Sequence, residues 1–146
     1  MTVSQDERYM RAALRLARLA APFPNPPVGA VVVLDGNVVG IGHHERAGAA
    51  HGELAALLAA GTRANGADLY VSLEPCNHFG RTPPCVDAIL KAGVKRVVIG
   101  CLDPNASVLG GGCARLARAG VVIAFGPWHH EAEALIASWR SSLRAS

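Results

Sequence analysis

The stretch Ser72-Leu73-Glu74-Pro75-Cys76-Asn77-His78-Phe79-Gly80-Arg81-Thr82-Pro83-Pro84-Cys85 (SLEPCNHFGRTPPC, residues 72–85) decides how this chain is read. Its middle is too polar and too proline-rich for a strand or a helix, yet a thiol stands near or at each end. Upstream, Asp68 to Glu74 reads as a strand, bounded by Gly66 and Pro75. Downstream, Pro83 and Pro84 open a helix to about Ala92, with Thr82 as N-cap and Gly93 as stop. Cys76 thus lies just past a strand end and Cys85 in the first turn of a helix. A helix N-terminus favours thiolate, because its unpaired N–H groups and its dipole attract negative charge.

Working outward, residues 5–20 carry apolar groups near helical period, and the prolines from Pro22 to Pro27 then forbid helix. Val28 to Leu34 and Val38 to Ile41 flank Asp35-Gly36-Asn37, the signature of an antiparallel hairpin. Gly42 to Ala50 is a polar loop, and His51 to Ala60 is helical up to Gly61. Lys95 to Cys101 is a strand, Asp103-Pro104-Asn105 a break, Gly110 to Ala119 a helix, Val121 to Phe125 a strand and Trp128 to Leu143 a last amphipathic helix. Strands joined through helices run parallel by right-handed crossovers. The expectation is one α/β domain over residues 1–146, with a central mixed five-stranded sheet, helices on both faces, and a ligand site where strands end and helices begin.

Composition narrows the function. Hydrophobic residues make up 51% of the 146 residues and charged ones 17%, enough to build one core. No apolar run approaches the roughly 18–20 residues of a membrane span, and the N-terminus lacks a signal-peptide core, so a cytoplasmic protein is expected. The net charge of +3 is scattered and aromatics are 5%, thin for stacking on bases. No nucleic-acid partner is expected; an anionic small molecule fits. Four cysteines in such a protein argue against a disulfide framework, and Cys101 and Cys113 read as small buried hydrophobes.

Two thiolates at Cys76 and Cys85 invite a divalent metal, although buried thiols or a redox pair would satisfy the same spacing. The third ligand is His51, in His51-Gly52-Glu53-Leu54. One imidazole and two thiolates balance Zn²⁺ and leave a fourth position for water. Glu53 follows the histidine by two residues and is placed to move that water's proton. The order His-x-Glu, then Pro-Cys, then Cys is the zinc-deaminase pattern, in which the glutamate is the acid/base and not a ligand. Here the second cysteine follows the first after eight intervening residues, not two.

That spacing points to a family. Pro24-Asn25-Pro26-Pro27-Val28-Gly29, His51-Gly52-Glu53, Glu74 to Cys85 and Asp103-Pro104-Asn105 together resemble the deaminase domain of the riboflavin-biosynthesis RibD/RibG proteins, from about residue 6 to residue 137. The resemblance implies a three-layer cytidine-deaminase-like fold and one zinc per chain. It implies hydrolytic removal of the 2-amino group of 2,5-diamino-6-ribosylamino-4(3H)-pyrimidinone 5′-phosphate. It also implies that Asn25, His44, His78, Arg81, Asp103 and Asn105 line the substrate, Asn25 through the base amide and Asp103 and Asn105 near the ribose and phosphate. Arg81 would supply charge-assisted bonds to a phosphate. Two residues depart from the pattern. Gly52 stands where the family usually has Ala, a change worth about 1 kcal/mol of helix propensity, and Ala106 stands where it usually has Pro. Either could reshape the pocket toward another nucleobase, nucleoside or guanidine-bearing metabolite. The fused reductase typical of the family is not in this sequence, so a separate reductase acting downstream is expected. Superfamily habit implies a homodimer, and Leu135, Ile136 and Trp139 could be core or interface.

Overall fold

Strand β1 (Gly29–Leu34) is buried along nearly its whole length, as an unalternated Ala-Val-Val-Val run requires of a strand covered on both faces. The structure is a computed structural model describing residues 4–19, 25–46, 49–77, 84–103 and 111–145. Around β1 lie α1 (Gln5–Leu19), β2 (Asn37–His43), α2 (Gly52–Ala60), β3 (Asp68–Leu73), α3 (Cys85–Ala92), β4 (Arg96–Cys101), α4 (Gly112–Arg118), β5 (Val122–Phe125) and α5 (His129–Ala145). The strand order is β2-β1-β3-β4-β5. β1 is antiparallel to both neighbours, and β3, β4 and β5 are parallel, so the sheet is mixed and five-stranded as expected.

The β1–β2 turn places both Asp35 (φ 51°) and Gly36 (φ 78°) in the left-handed region, the geometry whose twist suits a two-residue hairpin. Helices α1 and α5 pack on one face of the sheet, and α2, α3 and α4 on the other. Met10, Ala13 and Leu14 of α1 are buried in the same core as Val31, Tyr70 and Val98, and Ala17 is buried as well. In α5, Ile136 is buried in that core, and Leu135 and Trp139, half-buried, pack against it. α2 lies directly on the backbone of β2, since a Cβ at Gly42 would sit 2.5 Å from the Ala56 nitrogen. That close approach carries the start of α2 to the edge where β3 ends.

Three elements differ from the sequence expectation. β2 runs on to His43, because Ile41, Gly42 and His43 pair with Val31, Ala30 and Gly29; packing overrides the poor strand propensity of glycine. Gly61 does end α2, at φ 59°, but a 3₁₀ turn over Gly61–Ala64 follows it. Helix α3 starts at Cys85, so Pro84 takes the cap position and provides no side-chain cap; Thr82 lies outside the described residues.

At the opposite end of the sheet from α2's start, Asp6 of α1 accepts hydrogen bonds from Tyr70 Oη (2.6 Å) and from Arg96 Nη1 and Nη2 (3.0 and 2.6 Å). These join the first helix to β3 and β4. The Arg96 guanidinium holds the Asp6 carboxyl below its ordinary value of 3.8, the Tyr70 hydroxyl assists, and burial opposes. A carboxylate with a lowered folded-state value stabilises the fold above its unfolded value and loses that effect as pH falls through the folded value. Asp6→Asn should therefore lower Tm by a constant amount at neutral pH. The gap should begin to shrink near pH 3.8 and vanish below the folded-state value; thermal melts of both proteins across pH give the comparison.

Candidate metal and deaminase centre

Each candidate ligand is delivered by an element end. His51 is the N-cap residue of α2, in extended backbone (φ −63°, ψ 159°). Cys76 lies three residues past β3, and Cys85 is the first residue of α3. One donor atom from each of the three falls within 4.8 Å of the other two. His51 Nδ1 is 3.2 Å from Cys85 Sγ and 3.9 Å from Cys76 Sγ.

Cys76 also caps α3. The Cys85 N–H donates to Cys76 Sγ at 3.2 Å, and the Val86 N–H donates to the Cys76 carbonyl at 3.2 Å. Two N–H groups that a helix start leaves unpaired are thereby satisfied by one residue. The Cys76 thiol is pushed down to about 4, first by the hydrogen bond from the Cys85 thiol, then by His51 and by the Cys85 N–H, against burial. The Cys85 thiol is pushed up by that same bond and by burial. Hydrogen bonding to Cys76 raises His51, with Glu53 and Cys76 adding charge attraction against burial.

Glu53 is 3% exposed. Burial pushes its carboxyl up to about 7, and its Oε1 is buried with no hydrogen-bond partner among the described residues. An unpaired buried carboxylate oxygen is costly unless it has chemistry to do. Two thiols and an imidazole form a borderline-soft donor set that suits zinc, and this orphaned oxygen lies two residues along the chain from the histidine. The three residues could hold one zinc.

His44 is 2% exposed and meets the His51 ring edge-on, with centroids 4.9 Å apart and planes at 71°. His44 Nδ1 donates to the Ala50 carbonyl at 3.1 Å, so in the neutral ring Nε2 accepts from the Asn25 amide at 3.0 Å. Burial lowers the His44 value, in keeping with that neutral form. The structure thus brings Asn25 and His44 together beside His51. The Asp103 N–H donates to Glu74 Oε1 at 3.2 Å, which ties the end of β4 to the end of β3. His78, Arg81, Asn105 and Ala106 lie outside the described residues.

Glu74, within the cysteine motif, has a part that the sequence does not predict. It is buried, and its second oxygen accepts from the Cys113 N–H at 3.1 Å, so one carboxylate binds two loops at the sheet edge. Its position before a proline at a strand end was the signal available. Gly52 acts through space rather than through backbone freedom: a Cβ there would lie 2.7 Å from the Val28 carbonyl oxygen, which already accepts from the His44 N–H at 3.1 Å. Cys101 is buried and Cys113 half-buried, and burial pushes both thiols up to about 12.

Residues 3–101 match the cytidine and deoxycytidylate deaminase zinc-binding region. A diaminohydroxyphosphoribosylamino-pyrimidine deaminase of Buchnera aphidicola (Acyrthosiphon pisum) is 47% identical over 123 residues, covering 83% of this chain and 84% of that protein. The chain belongs to this deaminase family. RibD of Aquifex aeolicus is 52% identical over 132 residues, 89% of this chain but 37% of its own length, so this deaminase spans little more than a third of that relative. Among solved structures, Acinetobacter baumannii RibD superposes with a TM-score of 0.86 at 46% identity, over 90% of this chain and 37% of that one. Aspergillus oryzae Rib2 deaminase in complex with DARIPP shares the fold, with a TM-score of 0.70 at 22% identity, over 95% of this chain and all of that one. The cytidine-deaminase-like fold and the zinc cofactor expected from the sequence both stand.

Purified deaminase should carry one zinc per chain by elemental analysis. Cys85→Ser should lose most of it; full occupancy in that variant would remove Cys85 from the ligand set.

Proposed function

We propose that this deaminase hydrolyses the 2-amino group of 2,5-diamino-6-ribosylamino-4(3H)-pyrimidinone 5′-phosphate, releasing ammonia. The observation that carries the reading is the buried Glu53 carboxylate, its Oε1 unpartnered, beside a His/Cys/Cys donor set, in a chain so similar to a stand-alone diaminohydroxyphosphoribosylamino-pyrimidine deaminase.

His51, Cys76 and Cys85 would hold the zinc. When bound, zinc supplies a water whose pKa is lowered toward ~7, so that a nucleophile is available at neutral pH. Glu53 supplies the proton traffic. With a value of about 7 its carboxylate accepts a proton from the attacking water and returns it as an acid. The first proton goes to the ring nitrogen next to the amine-bearing carbon; a second, lost by the added hydroxyl as the carbonyl forms, passes through Glu53 to the departing amine. A carbon–oxygen bond forms, the carbon–nitrogen bond breaks, and ammonia leaves with the oxygen retained as a carbonyl.

Asn25 orients the base. Its amide N–H is engaged by His44 Nε2, which leaves the carbonyl end of the side chain set in one direction for a substrate donor. His78, Arg81, Asp103 and Asn105 complete the substrate contacts, with Arg81 on the phosphate. The enzyme works as a cytoplasmic homodimer, and a reductase takes up its product. No helix among the described residues is long and apolar enough to cross a membrane.

The test is ammonia release from the diaminopyrimidine phosphate. Glu53→Gln should keep its zinc and lose about 10²–10⁴-fold in turnover. Near-normal turnover in that variant would refute the role of Glu53. Release from a free base or nucleoside, and none from the phosphorylated pyrimidine, would overturn the substrate.

A further inference from the structure

Helix α4 is fastened to both ends of the cysteine loop. Its Arg115 donates from Nη1 to Asn77 Oδ1 at 3.1 Å, and its Nη2 pairs with Asp87 Oδ1. Asn77 is the residue after Cys76, and Asp87 is the second residue after Cys85 in the first turn of α3. A single guanidinium therefore spans the two segments that carry the cysteines.

The helix that bears Arg115 is itself held against that loop. The Cys113 N–H is bound by Glu74, and a Cβ at Gly112 would fall 2.1 Å from the Pro75 carbonyl oxygen, so α4 begins in contact with the residue before Cys76. Gly111 faces the other end of the Asn77 amide, its ideal Cβ position lying 3.6 Å from Nδ2. The platform is anchored independently of the arginine, and the arginine projects from it.

We propose that Arg115 is a positioning residue that sets the spacing of Cys76 and Cys85, and so tunes how firmly the centre retains its metal. The proposal rests on reading those cysteines as zinc ligands. As an ion pair, Arg115–Asp87 is about a third exposed on each side and contributes little to global stability. Its effect is geometric: each partner is a near neighbour of a ligand, and a rigid planar guanidinium fixes the separation between its hydrogen bond to Asn77 and its ion pair with Asp87. Lysine has one charged nitrogen on a flexible stem and cannot reproduce both contacts. Outer partners of metal ligands typically change metal affinity by roughly 10–100-fold.

The test is zinc release from the holoenzyme to a colorimetric chelator in excess, well below Tm. Arg115→Met should release zinc about 10–100-fold faster than the parent, and Arg115→Lys should fall between. Asp87→Asn should speed release alone and add nothing in the Arg115→Met background. Asp6→Asn, which weakens the far end of the sheet, should leave release unchanged and so separates metal retention from general stability. If Arg115→Met does not fold, the pair Asn77→Ala and Asp87→Asn removes the two arms one at a time, and the double variant should release zinc faster than either. Release within twofold of the parent in these variants would overturn the role of Arg115, as would equal acceleration by Asp6→Asn. A parent protein that retains no zinc would instead overturn the metal reading beneath it.

Discussion

The arrangement depends on Cys76 capping α3. Its sulfur and its carbonyl take the first two N–H groups of that helix, at 3.2 Å each. This seats one thiol against the helix whose first residue is the other thiol. It also stabilises negative charge on Cys76, because hydrogen bonds to a thiolate and a helix N-terminus act in the same direction. Had the loop closed through a conventional side-chain cap, the Cys76 sulfur would have lost that anchor.

The rest of the fold carries His51 and Glu53 to this junction. α2 presses onto glycine backbone in β2, and Gly52 lets its first turn pass close to the Val28 carbonyl. The result puts an imidazole near two sulfurs and buries a carboxylate with one oxygen unpartnered. In most sites a buried unpaired carboxylate is a liability. Here the same burial raises its proton affinity into the range useful for accepting and returning a proton near neutrality.

The fold was legible where periodicity was strong. The Val-rich β1, its Asp-Gly turn, and the helices ended by Gly61 and Gly93 all stand close to where pattern and turn chemistry put them. The extension of β2 through Gly42 and His43 was not legible, because pairing partners rather than local propensity decide it. At this junction, the grouping of His51, Cys76 and Cys85 was visible through the chemistry of their residue types. Glu74 and Arg115 were not. Their work is to bind backbone or side chains distant in sequence, and a single glutamate or arginine on a strand end or short helix carries no signal of such partners. The cap on α3 is illegible for a related reason: a cysteine nine residues upstream of the helix start does not announce itself as its partner.

X-ray absorption at the zinc edge of the purified protein reads the donor set itself. Two sulfur scatterers near 2.3 Å together with two lighter ones near 2.0 Å are expected, about the distances of thiolate, imidazole and water oxygen around zinc. A shell without sulfur, or one of four sulfurs, would contradict that donor set.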